Sequence, residues 1–230
     1  VIDNVFGLPD EFASVVEYKG DANMLKGGIE AANKVITVSP TYANEILDPY
    51  FSYGLEHILH ERKYKLQGIL NGIDVDLYNP EKDKALFKNY SYKTISNKKA
   101  NKKGLQKLVG LPVADVPVIG MVGRLAGQKG IDLLTRVLKE ILSMEVQLVV
   151  LGTGDWKYEN ALKEAEKQFP TKLNAAITFS ADMASKIYAA ADMFLMPSKF
   201  EPCGLSQMIA MRYGTVPIVR ETGGLKDTVE

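Results

Sequence analysis

The sequence has very few of the side chains that form disulfides, zinc sites or histidine-based catalytic centres. Of its 230 residues, one is cysteine and two are histidine. A single cysteine excludes an internal disulfide and any multi-cysteine zinc site. A reducing, cytoplasmic setting is the simplest interpretation of this cysteine usage. The histidines, His57 and His60, lie in "LEHILHERKYK", a pattern that predicts one face of a helix, and we assign them no catalytic role.

Net charge and long apolar runs are absent as well. Lys+Arg and Asp+Glu number 28 each, so the formal net charge at pH 7 is zero. That balance argues against a protein whose main task is to neutralise nucleic-acid phosphates or a membrane surface. No apolar run approaches the roughly 20 residues of a membrane-spanning helix. We therefore expect no nucleic-acid or membrane partner, and the sequence leaves the oligomeric state open.

What the sequence does contain, in residues 115–230, is a regular alternation of strand and helix patterns. Short apolar runs bounded by turn residues are typical of strands buried on both faces, and helical spacing lies between them. This alternation predicts an α/β fold with a Rossmann-like, doubly wound parallel sheet. The predicted strands are 117–122, 146–152, 175–179, 193–196 and 216–219, and the predicted helices are 130–142, 156–168, 183–191, 205–213 and 224 onward.

The first 114 residues divide into two parts. Residues 1–71 contain two further strand patterns, "KVITVSP" and "LQGILNG", and Ser39 is placed to cap a helix that begins with Pro40. We interpret them as the tail of another α/β domain. Residues 72–114 are polar and predict a linker with peripheral helices; their basic run "NKKANKK" is interpreted as a solvated face, with contact to an anionic polymer as the alternative. Because the chain starts at Val1 and stops within a helix pattern, we expect a piece of a larger protein.

Two loops that follow predicted strands carry charged side chains. "GRLAGQKG" places Arg124 and Lys129 five residues apart in a glycine-bounded loop before a helix, an arrangement that suits a diphosphate. Two solvated cations on an exposed turn are the alternative. "FEPCGL" places Glu201 at a strand end, shortly before a helix start near Leu205. A helix start offers unpaired N–H groups and a partial positive charge.

Two more loops are rich in glycine. "LGTGDW" contains only part of a dinucleotide fingerprint, so its glycines indicate either a tight turn or a position beside a nucleotide, and NAD binding is not predicted. "ETGGLKD" places two glycines after Thr222, which indicates either phosphate contacts or a plain capped helix. Since ligands of such sheets bind at the carboxyl ends of the strands, the four loops together predict a site for a diphosphate-linked ligand, with Glu201 bonded to hydroxyl groups.

Five segments of the sequence resemble bacterial glycogen synthases and plant starch synthases. They are "VSPTYANEI", "GILNGIDVDLYNP", "GRLAGQKG", "SKFEPCGLSQ" and "RYGTVPIVRETGGLKDTV", and they span nearly the whole chain in family order. These enzymes are retaining glycosyltransferases that use ADP-glucose to extend an α-1,4-glucan. The resemblance implies a GT-B architecture of two Rossmann-like domains. The chain would then comprise the end of the N-terminal, acceptor-side domain (1–71), the linker (72–114) and a truncated C-terminal nucleotide-sugar-binding domain (115–230).

The resemblance also implies roles for individual residues. Arg124 and Lys129 would neutralise the diphosphate of ADP-glucose as the glycosidic bond breaks, so that no metal is needed. Glu201 would contact the donor glucose and help to stabilise the cationic anomeric carbon. Phe179 would place its ring against adenine, with an ordinary core position as the alternative, and Asn71 would lie near the donor, with a simple turn as the alternative. Further contacts to sugar or phosphate would come from the loop residues Cys203, Gly204, Leu205, Ser206, Thr222, Gly223 and Gly224.

The sequence departs from the family pattern in places. Ile209 stands where related transferases carry a second glutamate for the ribose, so the ribose contact is left unassigned. "LKGGIEAANK" looks like the family's lysine-x-Gly-Gly-Leu motif, but Lys26 directly precedes Gly27 and a helix pattern follows. Cys203 is interpreted as a small packed residue, since no histidine is placed to activate it as a nucleophile.

The resemblance predicts that this chain is the donor-binding part of a glycogen synthase and is inactive alone. Two alternatives remain open at this point. One is a transferase of the same architecture that uses UDP-glucose. The other is a module that binds nucleotide sugars without catalysis.

Overall fold

The computed structural model describes residues 7–230 and divides them into two compact units, the first ending at Asn71 and the second spanning Gly72–Glu230. In the first unit, the two strands predicted in "KVITVSP" and "LQGILNG" form β3 (Val35–Thr37) and β4 (Leu66–Gly68), and the structure pairs them in parallel. The hydroxyl of Ser39 accepts a hydrogen bond from the Tyr42 N–H, and Pro40 begins the helix, which confirms the predicted cap. The elements are β1 (Glu17–Tyr18), β2 (Asp21–Ala22), β3 (Val35–Thr37), β4 (Leu66–Gly68), α1 (Ala13–Val16), α2 (Met24–Ala31), α3 (Pro40–Glu45), α4 (Pro49–Ser52), α5 (Glu56–Glu61), and the 3-10 turns Asp10–Phe12 and Lys63–Lys65.

The second unit is built on one parallel sheet of five strands in the order β7-β6-β5-β8-β9. Its helices alternate with these strands along the chain, so the predicted doubly wound α/β fold is confirmed. The elements are β5 (Val118–Val122), β6 (Gln147–Leu151), β7 (Leu173–Ala176), β8 (Met193–Met196), β9 (Val216–Val219), α6 (Lys98–Leu108), α7 (Ile131–Ser143), α8 (Trp156–Gln168), α9 (Ala181–Ala190), α10 (Ser206–Arg212), α11 (Gly223–Thr228), and the 3-10 segments Tyr92–Asn97 and Gly127–Lys129.

Both faces of this sheet are covered, which explains why its central strands are apolar along their length. Alternate residues of a strand point to opposite faces, so β6 contributes Val149 to one core cluster and Val150 to the other. The first cluster also contains apolar residues of α6, α9 and α10, and the second contains those of α7 and α8. Both faces of the sheet are therefore packed against helices, and the loops at its edges carry the irregular structure.

Residues 72–114 belong to the second unit rather than standing apart from it. Tyr90, Leu105 and Leu111 are buried in the first core cluster. The hydroxyl of Tyr90 donates to the backbone oxygen of Tyr213 at 2.7 Å, and the hydroxyl of Tyr213 donates to Asp83 at 2.6 Å. This segment reads as a linker in the sequence because it buries only a few large side chains between many lysines.

The order of the strands, β7-β6-β5-β8-β9, indicates where a ligand would bind to this sheet. Chain order runs outward from β5 to β6 and β7 on one side, and then continues on the other side with β8 and β9. The reversal between β5 and β8 is the topological switch point of a doubly wound sheet, where ligands bind outside the carboxyl ends of the strands. The loop with Arg124 and Lys129 follows β5, and the loop with Glu201 follows β8, so the predicted charged loops flank this point.

One predicted strand is displaced. The sequence pattern places it at 175–179, whereas β7 spans Leu173–Ala176 and pairs with β6 from Leu148↔Leu173 onward. Ile177, Thr178 and Phe179 leave the sheet and lead into α9. The polar Asn174 interrupts the apolar run at the real strand, because its side chain bonds Glu166 at 2.9 Å rather than entering the core.

Within residues 7–230, no helix combines the length and apolar character needed to cross a bilayer.

Candidate functional site

Main-chain hydrogen bonds tie the four loops at the carboxyl edge to one another. The Leu125 N–H donates to the oxygen of Thr153 at 2.9 Å, which joins the loops after β5 and β6. The Lys199 N–H donates to Gln128 at 2.8 Å, which joins the loops after β8 and β5. The Gly224 N–H donates to Glu201 at 3.0 Å, which joins the segment after β9 to the loop after β8. The loops thus form one connected rim.

Glycine allows the closest of these approaches. Gly130 has a φ of +73°, and a Cβ atom there would lie 2.0 Å from the oxygen of Pro197. A Cβ on Gly224 would lie 2.2 Å from the oxygen of Cys203. Real Cβ atoms do not approach this closely, so both positions need glycine if the loops are to touch. The glycines of "GQKG" and "TGGL" are therefore packing points as well as turn residues.

The glycines of "LGTGDW" lie at a similar close approach. A Cβ on Gly152 would lie 1.9 Å from the oxygen of Gly123, and one on Gly154 would lie 2.2 Å from the oxygen of Leu125. Both glycines also line the large cavity described below. The expectation of a tight turn alone is therefore incomplete, because these residues also let the loop after β6 pack against the loop after β5.

The centre of the rim is a cluster of Lys129, Glu201 and Ser198. The Lys129 Nζ lies 2.5 Å from the Glu201 Oε2, and the Ser198 hydroxyl donates to the same oxygen at 3.1 Å. Glu201 and Ser198 are buried, whereas the Lys129 side chain is partly exposed. Glu201 Oε1 accepts no hydrogen bond within residues 7–230. The structure therefore brings together two of the three residues that sequence reasoning placed at the reaction centre.

Ser198 is a member of the cluster that the sequence analysis missed. It stands two residues after β8, in "PSKFEPCG", where a serine is an ordinary loop residue. The available signal is its position three residues before Glu201, within reach of the carboxylate. Since a buried carboxylate needs donors, a small hydroxyl in such a position is a candidate partner.

Arg124 extends from the same loop but is exposed. Its Nη2 donates to the Gln128 Oε1 at 3.1 Å. That single contact leaves the other guanidinium N–H groups available to an anion. Arg124 also lines the large cavity, whereas Lys129 and Glu201 do not. The loop after β5 thus connects the cavity to the Lys129–Glu201 pair.

The side chain of Gln207 holds the loop after Glu201 through hydrogen bonds. Its Nε2 donates to the oxygens of Cys203 at 3.1 Å and Gly204 at 3.0 Å, and to the hydroxyl of Thr228 at 2.9 Å. Gln207 is fully buried, and sequence reasoning missed it although it is a polar residue on the buried face of an apolar helix. Cys203 is a buried free thiol, which agrees with its interpretation as a packed residue.

The remaining predicted loop residues differ in exposure. Leu205 is exposed, and Ser206 is half-buried. Thr222 is the N-cap residue of α11, as one of the two interpretations expects, but its side chain makes no capping hydrogen bond to that helix. Thr222, Gly223 and Gly224 are buried. The N–H of Thr222 donates to the main-chain oxygen of Arg220, and the N–H of Gly224 donates to the main-chain oxygen of Glu201, so neither N–H is free in this structure.

A cavity of about 800 Å³ opens beside this rim. It begins at the ends of β5 and β6, at Val122 and Leu151, and its walls include Phe179 and the segment 77–85. Phe179 is 91% exposed, so the alternative of a core residue is wrong. An exposed aromatic ring at a cavity edge is suited to stacking against a flat ligand.

Tyr188 lies at the inner wall of the cavity. Burial raises the pKa of its phenol to about 12, and the neighbouring hydroxyl of Ser206 acts in the opposite direction. Its hydroxyl therefore stays protonated near neutral pH and remains a hydrogen-bond donor.

Four other residues discussed above lie in the first unit. Asn71 is exposed at the end of that unit. Lys26 lies in α2, is buried, and donates from its Nζ to the oxygen of Ser14 at 2.5 Å. This structural role agrees with our decision not to equate it with the family's N-terminal lysine. His57 and His60 lie in α5, as predicted.

Comparison with known families identifies the kind of protein. Residues 116–230 match the family of glycosyl transferases group 1, and residues 2–61 match the starch synthase catalytic domain. The chain belongs to the group 1 glycosyl transferases. The GT-B fold class expected from the sequence is confirmed by this match and by the parallel sheet.

The chain is also similar to individual members of this family. It is 55% identical over 229 residues to a glycogen synthase of Thermosipho africanus, which covers 98% of this chain and 47% of that protein. It is 54% identical over 217 residues to a glycogen synthase of Clostridium acetobutylicum, with 94% and 46% covered. The catalytic domain of starch synthase IV from Arabidopsis thaliana, bound to ADP and acarbose, superposes with a TM-score of 0.86 at 40% identity, covering 91% of this chain and 43% of that one.

These comparisons confirm the resemblance to glycogen and starch synthases. The chain spans about half the length of the curated relatives it matches.

Proposed function

We propose that the whole protein is a glycogen synthase and that this chain carries its donor site. It would transfer glucose from ADP-glucose to the non-reducing end of an α-1,4-glucan with retention of configuration. The observation that carries this proposal is the Lys129–Glu201 pair at the switch point of the sheet, beside Arg124 and a cavity large enough for a nucleoside. The similarity to glycogen synthases supports it.

The cavity and the rim suggest how the donor lies. Adenosine would occupy the cavity, with adenine against the exposed ring of Phe179. The diphosphate would then reach Arg124 at the cavity edge and Lys129 further along the same loop. Negative charge grows on the diphosphate as the glycosidic bond breaks, and cations that are already in place stabilise that charge without reorganisation. Two side-chain cations can supply this stabilisation, so we propose no metal or other cofactor.

Glucose would lie against Glu201. Its Oε2 is held by Lys129 and Ser198, which leaves Oε1 as the acceptor for a sugar hydroxyl. The carboxylate also faces the anomeric carbon, where positive charge develops in the transition state. Backbone groups of Cys203, Gly204 and Leu205 would complete the sugar side together with the hydroxyl of Ser206.

The other predicted contacts are proposed with the same donor. The hydroxyl of Thr222 and the backbone of Gly223 and Gly224 lie on the rim and would approach the phosphates. Asn71 is proposed near the donor on the basis of the motif alone. A cytoplasmic location is part of the proposal, and the buried free thiol of Cys203 fits a reducing compartment.

The test is turnover of ADP-glucose on a glycogen primer by the full-length protein. We expect Glu201→Ala and Lys129→Ala each to lower kcat by about 10²-fold or more, as happens when a transition-state contact is removed. The matched control is the exposed pair Lys167 and Glu164, whose atoms lie 2.7 Å apart on α8. Alanine at either control position should leave kcat unchanged. Turnover near the wild-type value in both site variants contradicts the proposed roles.

The same assay separates the alternatives. Faster turnover with UDP-glucose than with ADP-glucose would identify a transferase with the other donor. Nucleotide binding without any transfer by the full-length protein would identify a binding module. The chain spanning residues 1–230 should bind ADP in a calorimeter and transfer no glucose by itself.

A further inference from the structure

Helix α6 has an unusual distribution of charge. Its sequence, KKANKKGLQKL, contains five lysines and no acidic residue. Lys99, Lys103 and Lys107 follow one another at i,i+4 spacing, and Lys98 and Lys102 form another such pair. Like charges at this spacing lie close together on a helix surface and destabilise it. The helix therefore carries a cationic surface at a cost in stability that its own sequence does not offset.

A groove of about 430 Å³ runs along this surface. Four of the five lysines line it, and its other lining residues are Gln106, Val113, Ala114, Asp115, Ala190 and Asp192. It is separate from the large cavity, with which it shares no residue. Lysines gathered around a groove can direct several ammonium groups at one ligand, which a flat basic surface cannot do.

The four lysines of the groove are not equivalent. Lys98 points inward, and its Nζ donates to the oxygen of Ala189 at 2.9 Å and to the hydroxyl of Thr215 at 2.8 Å. Lys102 pairs with Asp192 at 2.8 Å. Lys99 and Lys103 are exposed, and their side chains form no ion pair or hydrogen bond within residues 7–230. Contacts within the protein thus hold Lys98 and Lys102, whereas the ammonium groups of Lys99 and Lys103 are available to an anion.

The floor of the groove is polar. Gln106 is 1% exposed, and its Nε2 donates to the oxygen of Ala114 and to the Oε1 of Gln147, at 2.9 and 2.8 Å. Its own Oε1 accepts no hydrogen bond in the part of the chain that the structure describes. Buried polar atoms are nearly always paired, so an unpaired acceptor beside a groove indicates a place where a ligand donor is missing.

We propose that this groove binds a small phosphate ester that carries hydroxyl groups. Lys99 and Lys103 bind the phosphate dianion by charge-assisted hydrogen bonds, and Lys102 lies beside them. Lys99 and Lys103 supply two positive charges for a phosphate monoester, and of the two carboxylates at the groove Asp192 is paired with Lys102, while Asp115 opposes the anion. The limited volume of the groove and the buried Gln106 at its wall favour such a ligand over a long anionic polymer, which would need a continuous exposed stripe.

The experiment is calorimetric titration of the full-length protein with inorganic phosphate and with β-glycerophosphate. With excess ADP present to occupy the donor site, the wild-type protein and Lys129→Ala should bind both probes equally well, because Lys129 lies in the donor site and not in the groove. Lys103→Glu should lower the affinity at least about tenfold. The control Lys163→Glu, on the exposed face of α8, should leave the affinity unchanged.

A second measurement guards against loss of binding through misfolding. Lys103→Glu converts two repulsive i,i+4 pairs into attractive ones, so its melting temperature should equal or exceed that of the wild type. No heat with either probe at about 10 mM overturns the proposal. It is also overturned if Lys129→Ala abolishes binding while Lys103→Glu retains it, or if heparin binds and both phosphate probes do not.

Discussion

At the scale of single residues, the charge on Glu201 depends on two neighbours. A buried carboxylate is costly unless it is paired and hydrogen-bonded, and Lys129 and Ser198 provide both kinds of contact. Both contacts go to Oε2, so they hold that oxygen in place and leave Oε1 without a hydrogen-bond donor within residues 7–230. We therefore propose that Ser198 is a positioning residue, which would act on the substrate through Glu201.

We expect Ser198→Ala to lower kcat about tenfold with little change in KM. The hydroxyl bonds a charged group, and such a bond contributes about 1.5–3 kcal/mol. The measurement is steady-state turnover of ADP-glucose by the full-length protein. The control is Ser143→Ala, since Ser143 is exposed on α7 and bonds only the Glu140 oxygen.

A double-mutant cycle distinguishes positioning from general damage. In a Glu201→Ala background, the second change at Ser198 should have no further effect on kcat, because the group it orients is gone. Equal losses from Ser198→Ala with and without Glu201 would show that the serine acts by another route.

The charged residues of the site can be predicted from the sequence, but their small partners cannot. Arg124, Lys129 and Glu201 stand in glycine-rich loops after apolar strands, which is a recognisable pattern. Ser198 and Gln207 look like any loop serine and any helix glutamine, and their importance depends on which buried atoms face them after folding. Phe179 shows the same limit, because the sequence left a ring against adenine and an ordinary core position both open, and only the structure shows that the side chain is exposed.

At the scale of elements, the contact between the loop after β8 and helix α11 depends on a missing side chain. Gly224 packs directly against the backbone of Cys203 and donates its N–H to Glu201. This contact fixes the distance between two predicted phosphate- and sugar-binding segments. Sequence reasoning recognised the glycines of "TGGL" as candidate phosphate contacts, but the packing partner lies 21 residues away and only the structure reveals it.

Gly224→Ala should destabilise the second unit by about 1–3 kcal/mol, the usual range for forcing extra atoms into a packed site. Alanine improves helix propensity by about 1 kcal/mol, but the overlap with backbone atoms of Cys203 is larger in effect. Urea unfolding gives the stability, and ADP titration should show weaker binding.

Gly28→Ala is the matched control. Gly28 also lies in a helix, and a Cβ there would meet nothing within 4 Å. It should leave stability unchanged or raise it by up to about 1 kcal/mol. If Gly224→Ala proves as harmless as Gly28→Ala, then the close approach to Cys203 does not matter for stability.

The order and type of the sheet elements follow from the sequence because each strand of the second unit is a short apolar run between turn residues. The boundary of β7 does not follow, since Asn174 breaks its run and Ile177 and Phe179 extend the apolar pattern beyond it. The packing of residues 72–114 is also hidden, because pattern recognition weighs their many charges above the few side chains, such as Leu105, that enter the core.

At the scale of the whole molecule, the free energy of unfolding should change with pH in the alkaline range. Lys98 is held among backbone oxygens between α6, α9 and α10, and burial lowers its pKa from 10.5 to about 8, while nearby Asp192 acts in the opposite direction. Burial raises the pKa of the phenols of Tyr90 and Tyr213 above the ordinary value of 10, and that of Tyr188 to about 12.

As pH rises, the lowered pKa of Lys98 and the raised pKa values of the tyrosines change the free energy of unfolding in opposite directions. Between pH 8 and about 10 the unfolded chain holds the Lys98 proton that the folded protein has lost, so the free energy of unfolding should rise with pH. Above pH 10 the tyrosines ionise in the unfolded chain first, so it should fall. Urea unfolding from pH 7 to 11 measures the profile, and Lys98→Met should remove the rise and keep the fall. A rise that persists in this variant would assign it to another group.

The rim of the site is held together by groups that every residue other than proline possesses. Amide N–H and carbonyl groups join the four loops, so apart from the glycines at the closest approaches and the buried Gln207 the rim is largely independent of which side chains project from it. The chemistry can therefore change by single substitutions at exposed positions while the geometry is kept. A scaffold of this kind can be adapted to a new donor without first being rebuilt.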